Sequence, residues 1–167
     1  MNIVLIGMRG SGKSTIAHLL SQKLQIPCIE MDESLVKKIG MAIPEFVEER
    51  GWEKFRDVEA EITERLSKKD NVILSTGGGV ILRKTNVDNL KQNGKLFYLK
   101  AHLETLILRM GNDPNRPFLT NQKTRKEEIE QVLRERTLLY KNAADVIIET
   151  DNLTIDQTIH EIIEKMI

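Results

Sequence analysis

With 167 residues, 40% of them hydrophobic and 30% charged, the chain is long enough for one domain with a real core and too apolar to be disordered by default. Lys plus Arg and Asp plus Glu number 25 each, so the net charge is zero, and aromatic residues make up only 4%. The sequence therefore lacks both the basic excess of a nucleic-acid binder and the rings of a base-stacking platform, which points to a small-molecule partner.

In chain order, the apolar run Asn2–Ile6 stops at Gly7 and predicts a short buried parallel strand. It is too short for a leader or a membrane span. Cys28 is the lone cysteine, which excludes a disulfide framework and a multi-thiolate zinc site. The histidines, His18, His102 and His160, stand in no metal-ligand spacing. These features give the expectation of a reducing, cytoplasmic compartment. A helix follows the first strand, with Ile16, Leu19, Leu20 and Leu24 on one face. A second strand is expected from Pro27 to about Asp32, then helices to about Lys68, broken near Gly40 and Gly51. Strands are expected at 72–75, 95–99 and 145–149, and helices at 84–93, 103–110, 125–141 and 155–166. Thr124-x-x-Glu127 and Thr154-x-x-Gln157 have the form of capping boxes for the last two helices. Alternating strands and helices predict one α/β domain, a parallel sheet with helices on both faces. Residues 111–122 lose the helical period and predict a functional loop, a lid carrying Arg116.

Gly7-Met8-Arg9-Gly10-Ser11-Gly12-Lys13-Ser14-Thr15 completes the pattern G-x-x-x-x-G-K-[ST] between an apolar strand and an amphipathic helix. Such a loop curls so that backbone N–H groups face phosphates, and the helix N-terminus adds partial positive charge. Lys13 is placed to reach the outer phosphates, and the Ser14 hydroxyl to ligate Mg²⁺. The chain lacks the N-K-x-D stretch of a GTPase. The third strand ends in Thr76-Gly77-Gly78-Gly79, where open α/β sheets bind ligands and where glycines let a ligand approach the backbone.

Charged residues on apolar stripes narrow the substrate. Arg56 and Glu59 lie on the stripe of Trp52, Phe55, Ile62 and Leu66. Arg136 lies on that of Ile129, Val132, Leu133, Leu139 and Tyr140. A buried guanidinium needs an anionic partner. An Arg56–Glu59 pair accounts for one arginine and leaves Arg136 for a substrate carboxylate. Asp32, ending the second strand, is placed either to accept the proton of an attacking hydroxyl or to cap the next helix.

In its ordered motifs the chain resembles the shikimate kinase family. These are the phosphate loop, Met31-Asp32, Phe55-Arg56-x-x-Glu59, Gly77-Gly78-Gly79, Arg116-Pro117 and Arg136-x-x-x-Tyr140. The resemblance implies a nucleoside-monophosphate-kinase-like fold with a five-stranded sheet of order 2-3-1-4-5. It implies transfer of the ATP γ-phosphoryl group to the 3-hydroxyl of shikimate, with Mg²⁺, by a monomer. Asp32, Arg56, Gly78 and Arg136, with neighbours Gly77 and Gly79, would meet shikimate. Gly10, Ser11, Gly12, Lys13, Ser14 and Thr15 would hold the nucleotide phosphates, with Arg116 on the transferring group. Arg109 would lie against adenine, with residues near Asn152 opposite, although periodicity puts Arg109 toward solvent. The chain departs from the family pattern at Glu30, where Asp is usual, and at Val47 beside Phe46, where Phe is usual at the second position. A gluconate or nucleoside-monophosphate kinase is the nearest rival; a nucleotide-dependent switch protein is another.

Overall fold

The computed structural model describes residues 1–110 and 124–167. Five strands, β1 (Asn2–Ile6), β2 (Cys28–Glu30), β3 (Ile73–Ser75), β4 (Gly94–Lys100) and β5 (Val146–Glu149), pair in parallel in the order β2-β3-β1-β4-β5. This is the order implied by the family resemblance. Central β1 is buried along its length, which is why it reads as a continuous apolar run rather than an alternating one.

Strand alternation sends Ile3 and Leu5 to one face of the sheet and Val4 and Ile6 to the other. On the first face, α1 (Lys13–Leu24) and α7 (Ile155–Glu164) contribute Ile16, Leu20, Ile159 and Ile162. The second core is larger. It takes Leu35 from α2 (Met31–Ile39), Phe55 and Ile62 from α3 (Ile43–Ser67), and Leu90 from α4 (Lys84–Gln92). Leu106 of α5 (Leu103–Met110) and Val132 and Tyr140 of α6 (Arg125–Ala143) complete it. Each fully buried aliphatic side chain contributes about 1.5–3 kcal/mol.

Both expected helix breaks occur: Gly40 ends α2 with φ 73°, and Gly51 kinks α3 with φ 82° and ψ 167°. Capping differs between the two candidate boxes. Around Thr154 both halves form, whereas Thr124 accepts a hydrogen bond from Glu127 N without the return bond. Leu139, expected on the buried stripe of α6, is 39% exposed, because it lies at the margin of the face whose centre line runs through Ile129, Val132, Arg136, Tyr140 and Ala143. The second strand is shorter than expected. It ends at Glu30, which holds the N-cap position of α2 without a side-chain cap bond, so Asp32 is a first-turn helical residue and not the cap. The expected loop 111–122, with Arg116, lies outside the described residues. Among the described residues, no helix is long and apolar enough to cross a membrane.

A parallel sheet brings the carboxyl ends of its strands to one edge. Here the phosphate loop leaves β1, Met31-Asp32 leaves β2, and the three glycines leave β3. Thr76 ties the end of β3 to β1 by donating its hydroxyl to Leu5 O at 2.8 Å.

Candidate active site

These strand ends line a cleft of about 700 Å³. The phosphate loop forms its floor. Gly10 and Gly12 take φ values of 77° and 94°, a conformation that side chains resist. A Cβ on Gly10 would also come within 2.6 Å of Met110 Cγ. The Lys13 ammonium, on a residue only 8% exposed, curls back to donate to Gly7 O at 2.7 Å and Met8 O at 2.9 Å. This clamps the loop around its own lysine and stations a positive charge where the backbone N–H groups converge. Ser14 donates its hydroxyl to Glu30 Oε2 at 3.1 Å, setting an alcohol and a carboxylate side by side. That oxygen-only pair suits a hard dication. Cys28, two residues before Glu30, is a protonated thiol: burial, then the charges of Glu30 and Glu33, push it up to about 11.

The second wall is built by α3 and α6. Arg56 donates to Glu59 Oε1 at 2.9 Å, so the expected internal pair is present. Its guanidinium also lies over the rings of Trp52 (5.1 Å) and Phe55 (5.2 Å), and it lines the cleft. Burial pushes the Glu59 carboxyl up, aided by the negative charge of Asp32 and opposed by Arg56 and Arg136. Arg136 is 8% exposed and makes no ion pair among the described residues. Tyr140, one turn further along α6, stacks on Tyr98 and donates its hydroxyl to Gly78 O at 2.5 Å. Burial pushes that phenol up to about 12, so it remains a donor at neutral pH. The glycine turn and Arg136 are thereby locked together.

The glycines are explained by what crowds them. A methyl group on Gly77 would lie 3.0 Å from Asp32 Oδ1 and 3.2 Å from Glu59 Oε2. One on Gly79 would overlap the Arg56 guanidinium. The turn after β3 therefore packs directly against Asp32, Glu59 and Arg56, which line the cleft from α2 and α3.

At the other end of the cleft, Arg109 donates to Ser11 O (3.3 Å) and Thr150 Oγ1 (3.2 Å). Its stem is exposed as the helical period indicates, but its guanidinium reaches across to the phosphate loop. Asn152 itself is exposed and does not line the cleft; its neighbours Thr150 and Leu153, with Ile155 and Thr158, do. Thr150 follows β5 at the same sheet edge as the other site residues. The strand-end rule that singled out Asp32 applies equally there.

A glycine-rich phosphate cradle, a carboxylate at the next strand end and inward arginines facing both define a phosphoryl-transferring P-loop kinase for a small acid. Residues 9–167 match the family model described as shikimate kinase. The shikimate kinase of Caldicellulosiruptor bescii is 43% identical over 97% of this chain and 93% of that protein. That of Dictyoglomus turgidum is 37% identical over 99% and 96%. The solved structure of shikimate kinase from Acinetobacter baumannii in complex with shikimate superposes with a TM-score of 0.93 at 30% identity, covering 99% of this chain and 92% of that one. A gluconokinase from Sinorhizobium meliloti, at 16% identity and a TM-score of 0.58, shares the fold alone. The chain belongs to the shikimate kinase family, whose reaction is the ATP-dependent phosphorylation of shikimate.

Proposed function

We propose that the two ends of the cleft divide the reaction between them. ATP lies along the phosphate loop, its phosphates held by the backbone N–H groups of residues 10–15 and by Lys13, with Arg109 and the Thr150–Leu153 wall around the base. Shikimate lies between Asp32, the glycine turn, Arg56 and Arg136, its carboxylate facing the arginines. Asp32 accepts a hydrogen bond from the 3-hydroxyl and takes its proton as the oxygen attacks the γ-phosphorus. The new O–P bond forms as the bond to the β,γ-bridging oxygen breaks, leaving ADP. In so loose a transition state, orienting the hydroxyl matters more than basicity. Ser14 and Glu30 fit a Mg²⁺ ion accompanying the nucleotide, which would neutralise phosphate charge when bound. Arg116 is assigned to the transferring group from its sequence motif.

The observation that carries this reading is Arg136, a guanidinium 8% exposed beside Gly78, with no carboxylate paired to it among the described residues. Burying such a charge costs several kcal/mol unless an anion meets it, and a ligand carboxylate does so. The test is ADP release from Mg²⁺-ATP across a panel of shikimate, gluconate and nucleoside monophosphates. Strong dependence on shikimate alone is the expected result; preference for either rival refutes the assignment of the acid-binding end.

A further inference from the structure

We propose that His18, Cys28 and Glu30 form a binding site for a zinc-class transition-metal ion, and that filling it draws Glu30 away from Ser14 and inhibits the kinase. Sequence spacing alone gave no reason to group these residues. Cys28 and Glu30 are two apart on β2 and so face the same side of the sheet. His18 lies on α1, one turn beyond Ser14. The fold brings an imidazole nitrogen, the thiol sulfur and a carboxylate oxygen to within 4.8 Å of one another. A tetrahedral zinc site holds its ligand atoms about 3.5 Å apart. The required contraction is about 1 Å, and the His18 side chain, 60% exposed, has room to swing inward.

A second observation points independently to a cation. Glu30 Oε1 is buried and accepts no hydrogen bond, although His18 Nε2 stands 3.4 Å away. A buried carboxylate oxygen left in this way is costly, and a bound metal would satisfy it. The donor chemistry sorts the cations. Sulfur and imidazole favour Zn²⁺ or Co²⁺ and are poor ligands for Mg²⁺, which prefers oxygen. Binding is balanced by loss of the Cys28 thiol proton to solvent, giving a neutral thiolate–carboxylate–Zn²⁺ unit. Glu30 Oε2 is the atom that accepts from Ser14, so the same carboxylate serves both sites and its charge is cancelled when the soft site fills.

The metal-binding half stands on geometry alone; the inhibitory half rests on the kinase reading. The test titrates the reduced, nucleotide-free chain with Co²⁺ and then Zn²⁺. Expected are one Co²⁺ per chain, a thiolate-to-cobalt charge-transfer absorption, and its loss on adding Zn²⁺. His18→Ala and Cys28→Ala should each abolish that absorption and weaken Zn²⁺ binding by about tenfold or more. Both variants should turn over shikimate normally yet resist Zn²⁺, whereas wild-type inhibition should be reversed by EDTA supplied as its magnesium complex. Zn²⁺ binding unchanged in Cys28→Ala, or Co²⁺ bound without thiolate absorption, overturns the site. A normal cobalt spectrum with activity indifferent to Zn²⁺ overturns the coupling. A normal spectrum with no shikimate turnover at all counts against the kinase reading and leaves the metal site standing.

Discussion

Arg136 makes opposite demands on stability and binding, and substituting it separates them. Without ligand, its guanidinium is 8% exposed with no ion pair among the described residues, so its desolvation is offset only in part, by the Tyr140 hydroxyl and the more distant charge of Glu59. With the acid bound, two parallel N–H···O bonds can form. Arg136→Lys keeps the charge and loses one prong. A hydrogen bond between charged groups is worth about 1.5–3 kcal/mol, which at about 1.4 kcal/mol per tenfold weakens shikimate roughly 10- to 150-fold. ATP affinity should stay near wild type, because the phosphate loop is untouched. Arg136→Met removes the buried charge altogether and should abolish measurable shikimate binding while leaving the protein at least as stable. Replacing buried charge with packed apolar atoms is often neutral or favourable by about 1–4 kcal/mol. At about 2–4 °C per kcal/mol for a chain of this size, the melting temperature should hold or rise by several degrees. Calorimetric titration and thermal unfolding of both variants check these outcomes. Unchanged shikimate affinity in Arg136→Lys, or a Met variant several kcal/mol less stable, would show that Arg136 serves the fold and not the ligand.

Three further outcomes are expected, the first two from the geometry of the cleft and the third from the sequence motif around Arg116. Gly79→Ala places a methyl group on the Arg56 guanidinium; the flexible end of that side chain should yield, so KM for shikimate should rise about tenfold or more with little loss of stability, as steady-state kinetics and melting would show. Asp32→Asn keeps the size and loses the proton acceptor, so kcat should fall about 10²-fold or more with a modest change in KM; near-normal turnover would leave Asp32 as a first-turn helix charge only. Arg116→Ala should lower kcat by about 10²–10³-fold, the scale for one electrostatic donor to the transferring group, and an unchanged kcat would remove Arg116 from the chemistry.

Much of the site is legible in the chain because its signals are local. The phosphate loop needs only consecutive residues whose backbone can curl, and the motif of residues 7–15 carries that information by itself. The inward turn of Arg56, Glu59 and Arg136 follows from helical period, since a residue on an apolar stripe is carried to the core whatever its charge. The stripe misled at Leu139, because periodicity gives a direction around a helix and not how far the neighbouring element extends to cover it. Strand order was available only through family resemblance. Each crossover helix is compatible with several placements of the next strand, and the hydrophobic pattern of β1 is the same beside either neighbour.

The remaining features were decided by tertiary structure, since they join residues far apart in the sequence. Arg109 has an exposed stem, as its period requires, yet its guanidinium reaches Ser11 O because β4 and α5 stand beside the phosphate loop. Tyr140 meets Gly78 across 62 residues, and nothing in either local sequence specifies that bond. His18, Cys28 and Glu30 match no metal-ligand spacing, because their meeting depends on α1 packing over β2. Local sequence sets the direction in which a side chain leaves its own element; the packing of elements sets what it meets there.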